Sequence, residues 1–217
     1  MSLREEIATR LLQINAIKLS PQNPFTWASG IQSPIYCDNR IVLSYPDARS
    51  AVISAFVKLS HEFDSFDSIS GVATAGIAHG ALLADALDLP FSYVRSKPKG
   101  HGRQNQIEGL VVKGQRILVV EDLISTGGSS LKAVEALKEE GAIVVGIVAI
   151  FQYNFAEAAS RFENANCPFR TLSDYESLVA MAKRDQMFTP EEIALLESWH
   201  LNPHEWASNS KTESSDT

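Results

Sequence analysis

Hydrophobic residues near the N-terminus recur at the spacing of an amphipathic helix. Leu3, Ile7 and Leu11 fall on one face, which predicts an opening helix over residues 3–17. The next stretch, residues 20–40, contains three prolines and one glycine among aromatic residues. Because proline and glycine interrupt regular elements, an extended or irregular segment is predicted there.

The middle of the chain alternates between short hydrophobic runs and helical patterns. Strands are predicted over residues 68–73, 91–94, 117–121 and 142–151, and helices over 46–59, 76–87 and 129–140. Strands and helices in this order form a mainly parallel sheet with helices on both faces. We therefore predict an α/β fold whose ligands bind beyond the carboxyl ends of the strands.

Two capping boxes predict the starts of the last helices. Ser173 pairs with Glu176, and Thr189 pairs with Glu192. Residues 208–217 contain no apolar side chain, which predicts a disordered tail. The rest of the chain, residues 1–207, is predicted to form a single domain.

Composition excludes several classes of protein. The chain has 217 residues, 45% of them hydrophobic, and a net charge of −7, which argues against a nucleic-acid binder. No apolar run is long enough to span a membrane, and the charged N-terminus differs from a signal peptide. Cys37 and Cys167 have no metal-site or disulfide spacing. We expect a cytoplasmic protein.

The segment RILVVEDLISTGGSS, residues 116–130, combines a buried strand, two acids and a loop of small residues. Gly127 and Gly128 allow the backbone to approach a ligand, and the start of the next helix offers free N–H groups to a phosphate. Glu121 and Asp122 would accept hydrogen bonds from sugar hydroxyls. A sugar 5-phosphate therefore fits this segment, of which residues 123–129 are called the phosphate loop. The alternative is an ordinary strand–turn–helix with a solvated acidic corner.

A second segment reverses the acidic character of the chain. Four basic residues and one histidine lie within nine positions, here called the basic loop: Arg95, Lys97, Lys99, His101 and Arg103. Its glycines and proline predict a lid that closes over a polyanion such as pyrophosphate. A solvated basic hairpin is the alternative.

These motifs carry a family resemblance. VVEDLISTGGSS resembles the phosphoribosyl-pyrophosphate signature of type I phosphoribosyltransferases. Together with FTWASGIQSPIYCDNR (residues 25–40) and YVRSKPKGHG (residues 93–102), it resembles the orotate-using branch of that family. The resemblance implies the type I phosphoribosyltransferase fold, with a hood over the base formed largely by residues 1–40.

The resemblance also implies an activity and a set of site residues. Orotate and phosphoribosyl pyrophosphate would give orotidine 5'-monophosphate and pyrophosphate, with Mg²⁺ required and no metal held by the protein alone. Arg95, Lys99 and His101 would act on the leaving pyrophosphate, and Ser125 would also touch orotate. The phosphoribosyl-pyrophosphate site would comprise those three residues and Glu121, Asp122, Leu123, Ile124, Ser125, Thr126, Gly127, Gly128 and Ser129. A homodimer would share its active sites between chains.

Three positions depart from better-known members of the family. Ala28 stands where many members carry a lysine, and Ala75 stands where some members carry one. Gln152-Tyr153 stand where some members place an arginine. Lys97 is a candidate to compensate in part. Two other functions stay open at this point: a phosphoribosyltransferase for another base, and a non-catalytic regulator that binds phosphoribosyl pyrophosphate.

Overall fold

A computed structural model of the chain describes residues 2–27, 30–96, 106–203 and 205–206. The first helix, α1, spans Leu3–Gln13 and begins with a capping box between Ser2 and Glu5. It is shorter than predicted, because the chain turns at Asn15, whose φ is +57°, and enters a strand at Ile17.

The segment predicted to be irregular contains two small antiparallel pairs. Strand β1 (Ile17–Leu19) pairs with β4 (Ile35–Cys37), and β2 (Phe25–Thr26) pairs with β3 (Gln32–Ser33). A 3-10 helix, Asn39–Ser44, then leads to helix α2, Pro46–Ser60. Proline in the first turn of α2 confirms the predicted start of that helix.

The centre of the molecule is a six-stranded sheet with the order β10-β9-β8-β5-β6-β7. All neighbouring strands are parallel except β6 and β7. The strand bounds are β5 Ser68–Val72, β6 Phe91–Val94, β7 Ile107–Glu108, β8 Arg116–Ile124, β9 Ile143–Gln152 and β10 Phe169–Asp174. The mainly parallel α/β fold is therefore confirmed.

Helices cover both faces of the sheet. Their bounds are α3 Ala75–Leu87, α4 Gly128–Glu139, α5 Ala156–Asn164, α6 Tyr175–Arg184 and α7 Pro190–Leu201. Leu118 and Val120 of β8 belong to the hydrophobic core under α1, α2 and α3, whereas Ile117 and Val119 belong to the core under α4 and α5. Burial on both faces explains the continuous hydrophobic run of this strand.

Helix α3 lies unusually close to the sheet where β8 approaches the candidate site. A Cβ atom added at Gly76 would lie 2.5 Å from the main-chain oxygen of Val120. Such a contact is impossible for a larger residue, so glycine at this position sets the distance between α3 and β8.

Two elements differ from the predictions at the C-terminal side of the sheet. The predicted box of Ser173 with Glu176 is wrong: β10 continues to Asp174, and the Asp174 side chain caps α6 by accepting from the N–H of Ser177. The Ser173 hydroxyl instead donates to the main-chain oxygen of Arg4 at 2.9 Å. The box at Thr189 is confirmed at the start of α7. Among the described residues, no helix is both long and apolar enough to cross a bilayer.

Candidate active site

The phosphate loop joins the carboxyl end of β8 to the first turn of α4. Strand β8 runs through Ile124, so only Ser125–Gly127 forms the turn and both acids lie within the strand. Strand β9 causes this extension, because it continues to pair with β8 as far as Gln152. Gly127 has φ +78°, a left-handed conformation that favours glycine. The free N–H groups of the first turn of α4 therefore follow a sharp turn of the backbone.

Helix α5 supports this turn, a contact that the sequence motif does not indicate. A Cβ atom at Gly127 would lie 2.7 Å from the ring of Phe162. One residue earlier, Arg161 directs its Nη1 toward the main-chain oxygen of Thr126 at 3.4 Å and pairs with Glu157 at 2.5 Å. An aromatic ring and a guanidinium therefore hold the turn from behind.

Glu121 is buried and anchored within the protein. Its carboxylate accepts from the hydroxyl of Ser130 and from the main-chain N–H of Asp122, each at 3.1 Å. Burial raises the pKa of Glu121 well above its ordinary value, and the charge of Asp122 raises it further. The interpretation of these acids as a solvated corner is wrong for Glu121, which is only 5% exposed.

Asp122 is the more accessible of the two acids. Burial raises its pKa, while hydrogen bonds from neighbouring groups and the charge of Arg40 lower it. Its main-chain oxygen accepts from Nδ2 of Asn39 at 2.7 Å. Arg40 itself forms a two-point ion pair with Asp38, at 2.7 and 2.8 Å. Asp122 is thus held through its main chain, and it is less buried than Glu121.

A cavity of about 290 Å³ lies between the hood and the end of β8. Its lining consists of Thr26, Trp27, Tyr36, Cys37, Leu123, Ser125 and Tyr153. Ser125 and Leu123 therefore belong both to the phosphate loop and to this hood cavity. The other predicted apolar member, Ile124, is 1% exposed and faces the core, so only its main chain could reach a ligand.

Aromatic side chains hold the hood against the domain. Trp27 stacks on Tyr153 with ring centroids 5.2 Å apart, and its Nε1 donates to the main-chain oxygen of Ile35 at 3.1 Å. From α7, Nε1 of Trp199 donates to the main-chain oxygen of Gln32 at 3.2 Å. Of the pair Gln152-Tyr153, Tyr153 lines the cavity with its aromatic ring, whereas the Gln152 side chain donates to the hydroxyl of Thr171 at 3.1 Å.

The basic loop begins and ends on paired strands. Arg95 donates its main-chain N–H to the oxygen of Gln106 at 2.8 Å, and the Gln106 side chain donates back to the oxygen of Arg95 at 2.8 Å. The Arg95 guanidinium lies 3.5 Å from the carboxylate of Glu108. Lys97, Lys99, His101 and Arg103 lie outside the described residues, as does Ala28.

A second cavity of about 300 Å³ connects Arg95 to the phosphate loop. Gly128 and Ser129 line it from one side, and Arg95 and Ser96 from another. Lys132 of α4, which the sequence analysis did not select, adds a second cation to its wall. A cavity lined by cations and helix-start residues suits an anion.

The described residues include no group of three or more His, Cys, Asp and Glu side chains that could hold a metal ion. Glu121 and Asp122 are the two acids at the carboxyl end of β8.

Comparisons with known proteins agree with this geometry. A family model described as the phosphoribosyl transferase domain matches residues 41–182. The orotate phosphoribosyltransferase of Lactococcus lactis subsp. cremoris is 53% identical over 207 residues, which span 95% of this chain and 99% of the relative. This chain belongs to the orotate phosphoribosyltransferase family. A second orotate phosphoribosyltransferase, from Streptococcus pneumoniae serotype 4, is 51% identical over the same shares of both chains.

Solved structures extend the family resemblance to the three-dimensional fold. The orotate phosphoribosyltransferase of Aeropyrum pernix superposes with a TM-score of 0.73 and 26% identity, covering 84% of this chain and 99% of that one. The Leishmania donovani UMP synthase gives a TM-score of 0.76 and 25% identity, covering 90% of this chain and 42% of that one. The predicted type I phosphoribosyltransferase fold is confirmed.

Proposed function

We propose that this protein transfers the 5-phosphoribosyl group from phosphoribosyl pyrophosphate to orotate, giving orotidine 5'-monophosphate and pyrophosphate. The observation that carries the proposal is the position of Ser125, which belongs to the phosphate loop and also lines the hood cavity. A sugar phosphate bound at the loop would therefore present its anomeric carbon toward a base in that cavity. The names of the relatives support orotate as that base.

The sugar and its 5-phosphate would occupy the loop and the end of β8. Backbone N–H groups at the start of α4 would bind the phosphate, with hydroxyls of Ser125, Thr126 and Ser129 as further donors. Asp122 would accept hydrogen bonds from the ribose hydroxyls, since its carboxylate is the more accessible acid. Glu121 would act by fixing the main chain of Asp122, to whose N–H it is bound.

Orotate would lie in the hood cavity, against Tyr36 and Cys37 of β4 and Ser125 of the loop. The described lining contains no Lys, Arg, Asp or Glu side chain. We therefore propose that the hood supplies shape and hydrogen bonds, while cations outside this lining balance the carboxylate of orotate. Lys97 stays a candidate for that role.

The reaction would replace pyrophosphate by the ring nitrogen of orotate at the anomeric carbon of the ribose. Its transition state would carry positive charge on the sugar and negative charge on the leaving pyrophosphate, so preorganised cations would stabilise it. Arg95 at the second cavity is the described member of this set, and Lys99 and His101 are the predicted others. No protein nucleophile is needed.

Mg²⁺ is part of the proposal as an ion that arrives with the substrate. The donor set fits, because Mg²⁺ commonly takes one or two carboxylates together with phosphate oxygens, and Asp122 offers such a carboxylate. When bound, Mg²⁺ would neutralise the phosphate groups of the substrate. Arg95 would add a positive charge from the protein. The cytoplasmic location of the protein stays a prediction from the sequence.

The direct test is the decrease of orotate absorbance when the purified protein is mixed with phosphoribosyl pyrophosphate and Mg²⁺. We expect loss of orotate with release of pyrophosphate, no reaction without either addition, and no comparable reaction with uracil, adenine or hypoxanthine. Asp122→Asn should remain folded and raise the concentration of phosphoribosyl pyrophosphate needed for half-maximal rate. Turnover of another base in preference to orotate would overturn the proposal, and turnover of none would favour the regulator.

We also propose a homodimer in which the basic loop of one chain completes the site of its partner. Lys99→Ala and Asp122→Asn would then damage different components of each site. At a low concentration of phosphoribosyl pyrophosphate, each variant alone must first be shown to be folded and nearly inactive. When the two variants then exchange subunits, about half of the dimers are mixed, so about a quarter of all sites should recover activity. Proven exchange without recovery would assign the basic loop to the site of its own chain.

A further inference from the structure

Two fully buried polar side chains lie behind the candidate sugar-binding acid. Asn39 begins the 3-10 helix and His79 lies in α3, and both have 0% exposure. The proposed reaction uses neither directly. Burying such groups is costly unless they make hydrogen bonds, so their presence calls for a physical reason.

Asn39 supplies a hydrogen bond at the point where the sheet narrows. Strand β5 pairs with β8 only as far as Val120, whereas β9 continues beside β8 to its end. Immediately beyond Val120, Asn39 donates from Nδ2 to the main-chain oxygen of Asp122 at 2.7 Å. One side chain from the hood region therefore fixes the main chain that carries the candidate sugar-binding carboxylate.

His79 lies in α3, which packs against the 3-10 helix that begins at Asn39. The 3-10 helix packs against both α3 and β8, and α3 also packs directly against β8. Burial lowers the pKa of His79 to about 4, and the main chain of Asn39 acts on the same ring in the other direction. His79 is thus a neutral donor and acceptor at neutral pH, in contact with the segment that begins at Asn39.

The buried side chains of Asn39 and His79 both have unused hydrogen-bonding capacity. Among the residues that the structure describes, Oδ1 of Asn39 has no hydrogen-bond partner, and neither Nδ1 nor Nε2 of His79 makes a hydrogen bond of good geometry. The ring of His79 interacts with the main chain of Asn39, so a small adjustment of the 3-10 helix would bring a ring N–H into hydrogen-bond geometry there. Such an adjustment would move Asn39 and, through its amide, the main chain of Asp122.

We propose that Asn39 and His79 are positioning residues, which together align Asp122 with the ribose hydroxyls of phosphoribosyl pyrophosphate. This inference rests on the proposed role of Asp122 in binding the sugar. Asn39 holds the main chain of Asp122 through its amide, and the buried ring of His79 lies beside the main chain of Asn39, where it limits movement of the 3-10 helix. Neither residue touches the substrate.

The test compares Asn39→Ala and Asn39→Asp, which both lack the amide donor, with the wild-type protein. Calorimetric titration gives the Kd for phosphoribosyl pyrophosphate with Mg²⁺, initial rates give the KM for orotate, and thermal melting gives Tm. We expect the Kd to rise about tenfold, as for loss of one buried hydrogen bond, and the KM for orotate to change less than about twofold. For His79, Leu should raise the Kd, whereas Gln, which keeps a donor, should restore most of the affinity.

Ser173→Ala is the matched control. It removes another buried hydrogen bond from a side chain to a distant main-chain oxygen, but at the α1 contact of β10. It should lower Tm without changing the Kd. An unchanged Kd in folded Asn39 variants would overturn the inference. It would also be overturned if the Asn39 variants changed the Kd and the orotate KM equally, or if Ser173→Ala raised the Kd as much as they do. If Asp122→Asn also leaves the Kd unchanged, the proposed function of Asp122 fails as well, which separates the two failures.

Discussion

The phosphate loop and the hood form two halves of one candidate site, but different kinds of contact hold them. The loop is made by consecutive residues between β8 and α4, and Phe162 and Arg161 of α5 pack behind it. The hood is held by contacts between distant residues, such as Trp199 with Gln32. Substitutions in the loop should therefore act on sugar-phosphate binding, and substitutions at the supports of the hood should act on the base.

The largest effect is expected at Gly127, where the backbone of the phosphate loop is most constrained. Gly127→Ala places a Cβ atom at φ +78° and 2.7 Å from the Phe162 ring. Backbone strain and overpacking together should lower the free energy of unfolding by about 2–4 kcal/mol. Displacement of the turn should weaken phosphoribosyl-pyrophosphate binding by about a hundredfold, a loss of roughly 3 kcal/mol, measured by titration calorimetry.

Gly114→Ala separates strain from contact. Gly114 also has positive φ, +84°, but a Cβ atom there would meet nothing within 4 Å. It should cost about 1 kcal/mol of stability and leave ligand binding unchanged. If Gly127→Ala also leaves ligand binding unchanged, the contact of α5 with the turn does not contribute to binding.

The next-largest effect is expected at His79, the buried histidine of α3. The folded protein keeps His79 neutral down to a pKa of about 4, whereas an unfolded chain protonates it below about 6.5. Stability from this group is therefore complete above pH 6.5 and is lost as the pH falls toward 4, by up to about 3 kcal/mol. Urea unfolding at several pH values should show a smaller acid loss for His79→Leu than for the wild-type protein.

Exposed His61 provides the control for that measurement. His61→Gln removes a histidine from an exposed position and so controls for the loss of a histidine as such. Burial raises the pKa of Glu121 and gives a dependence of opposite sign, but that contribution is common to all three proteins. Parallel pH profiles for His79→Leu and the wild-type protein would contradict a buried neutral His79.

The smallest effect is expected at the hood. Trp199→Phe keeps most of the ring packing but removes the hydrogen bond to Gln32, at a cost of about 1 kcal/mol. The KM for orotate should rise about fivefold, the equivalent of that energy, while binding of phosphoribosyl pyrophosphate is unchanged. In the control Trp206→Phe, which loses a bond to Ser198 at 3.0 Å, the KM should stay constant. Equal changes for both substrates would break the distinction between the two halves.

The same difference explains what could be predicted from the sequence. The turn at Gly127 and the helix after it depend on neighbouring residues, so the phosphate loop could be located from its motif. The box at Thr189 was predictable for the same reason. The box at Ser173 was not, because pairing of β10 with β9 extends the strand to Asp174. Likewise, nothing near Asn39 in the sequence indicates its bond to Asp122, 83 residues away.

The closed base of the basic loop has a consequence for protein engineering. Arg95 and Gln106 hold each other through one main-chain and one side-chain hydrogen bond, beside the paired strands β6 and β7. These bonds and the pairing of β6 with β7 anchor the described residues on either side of residues 97–105. Segments of other length or charge, grafted between Ser96 and Gln106, would start and end beside these anchored strands, and we expect them to change catalysis more than the stability of the sheet.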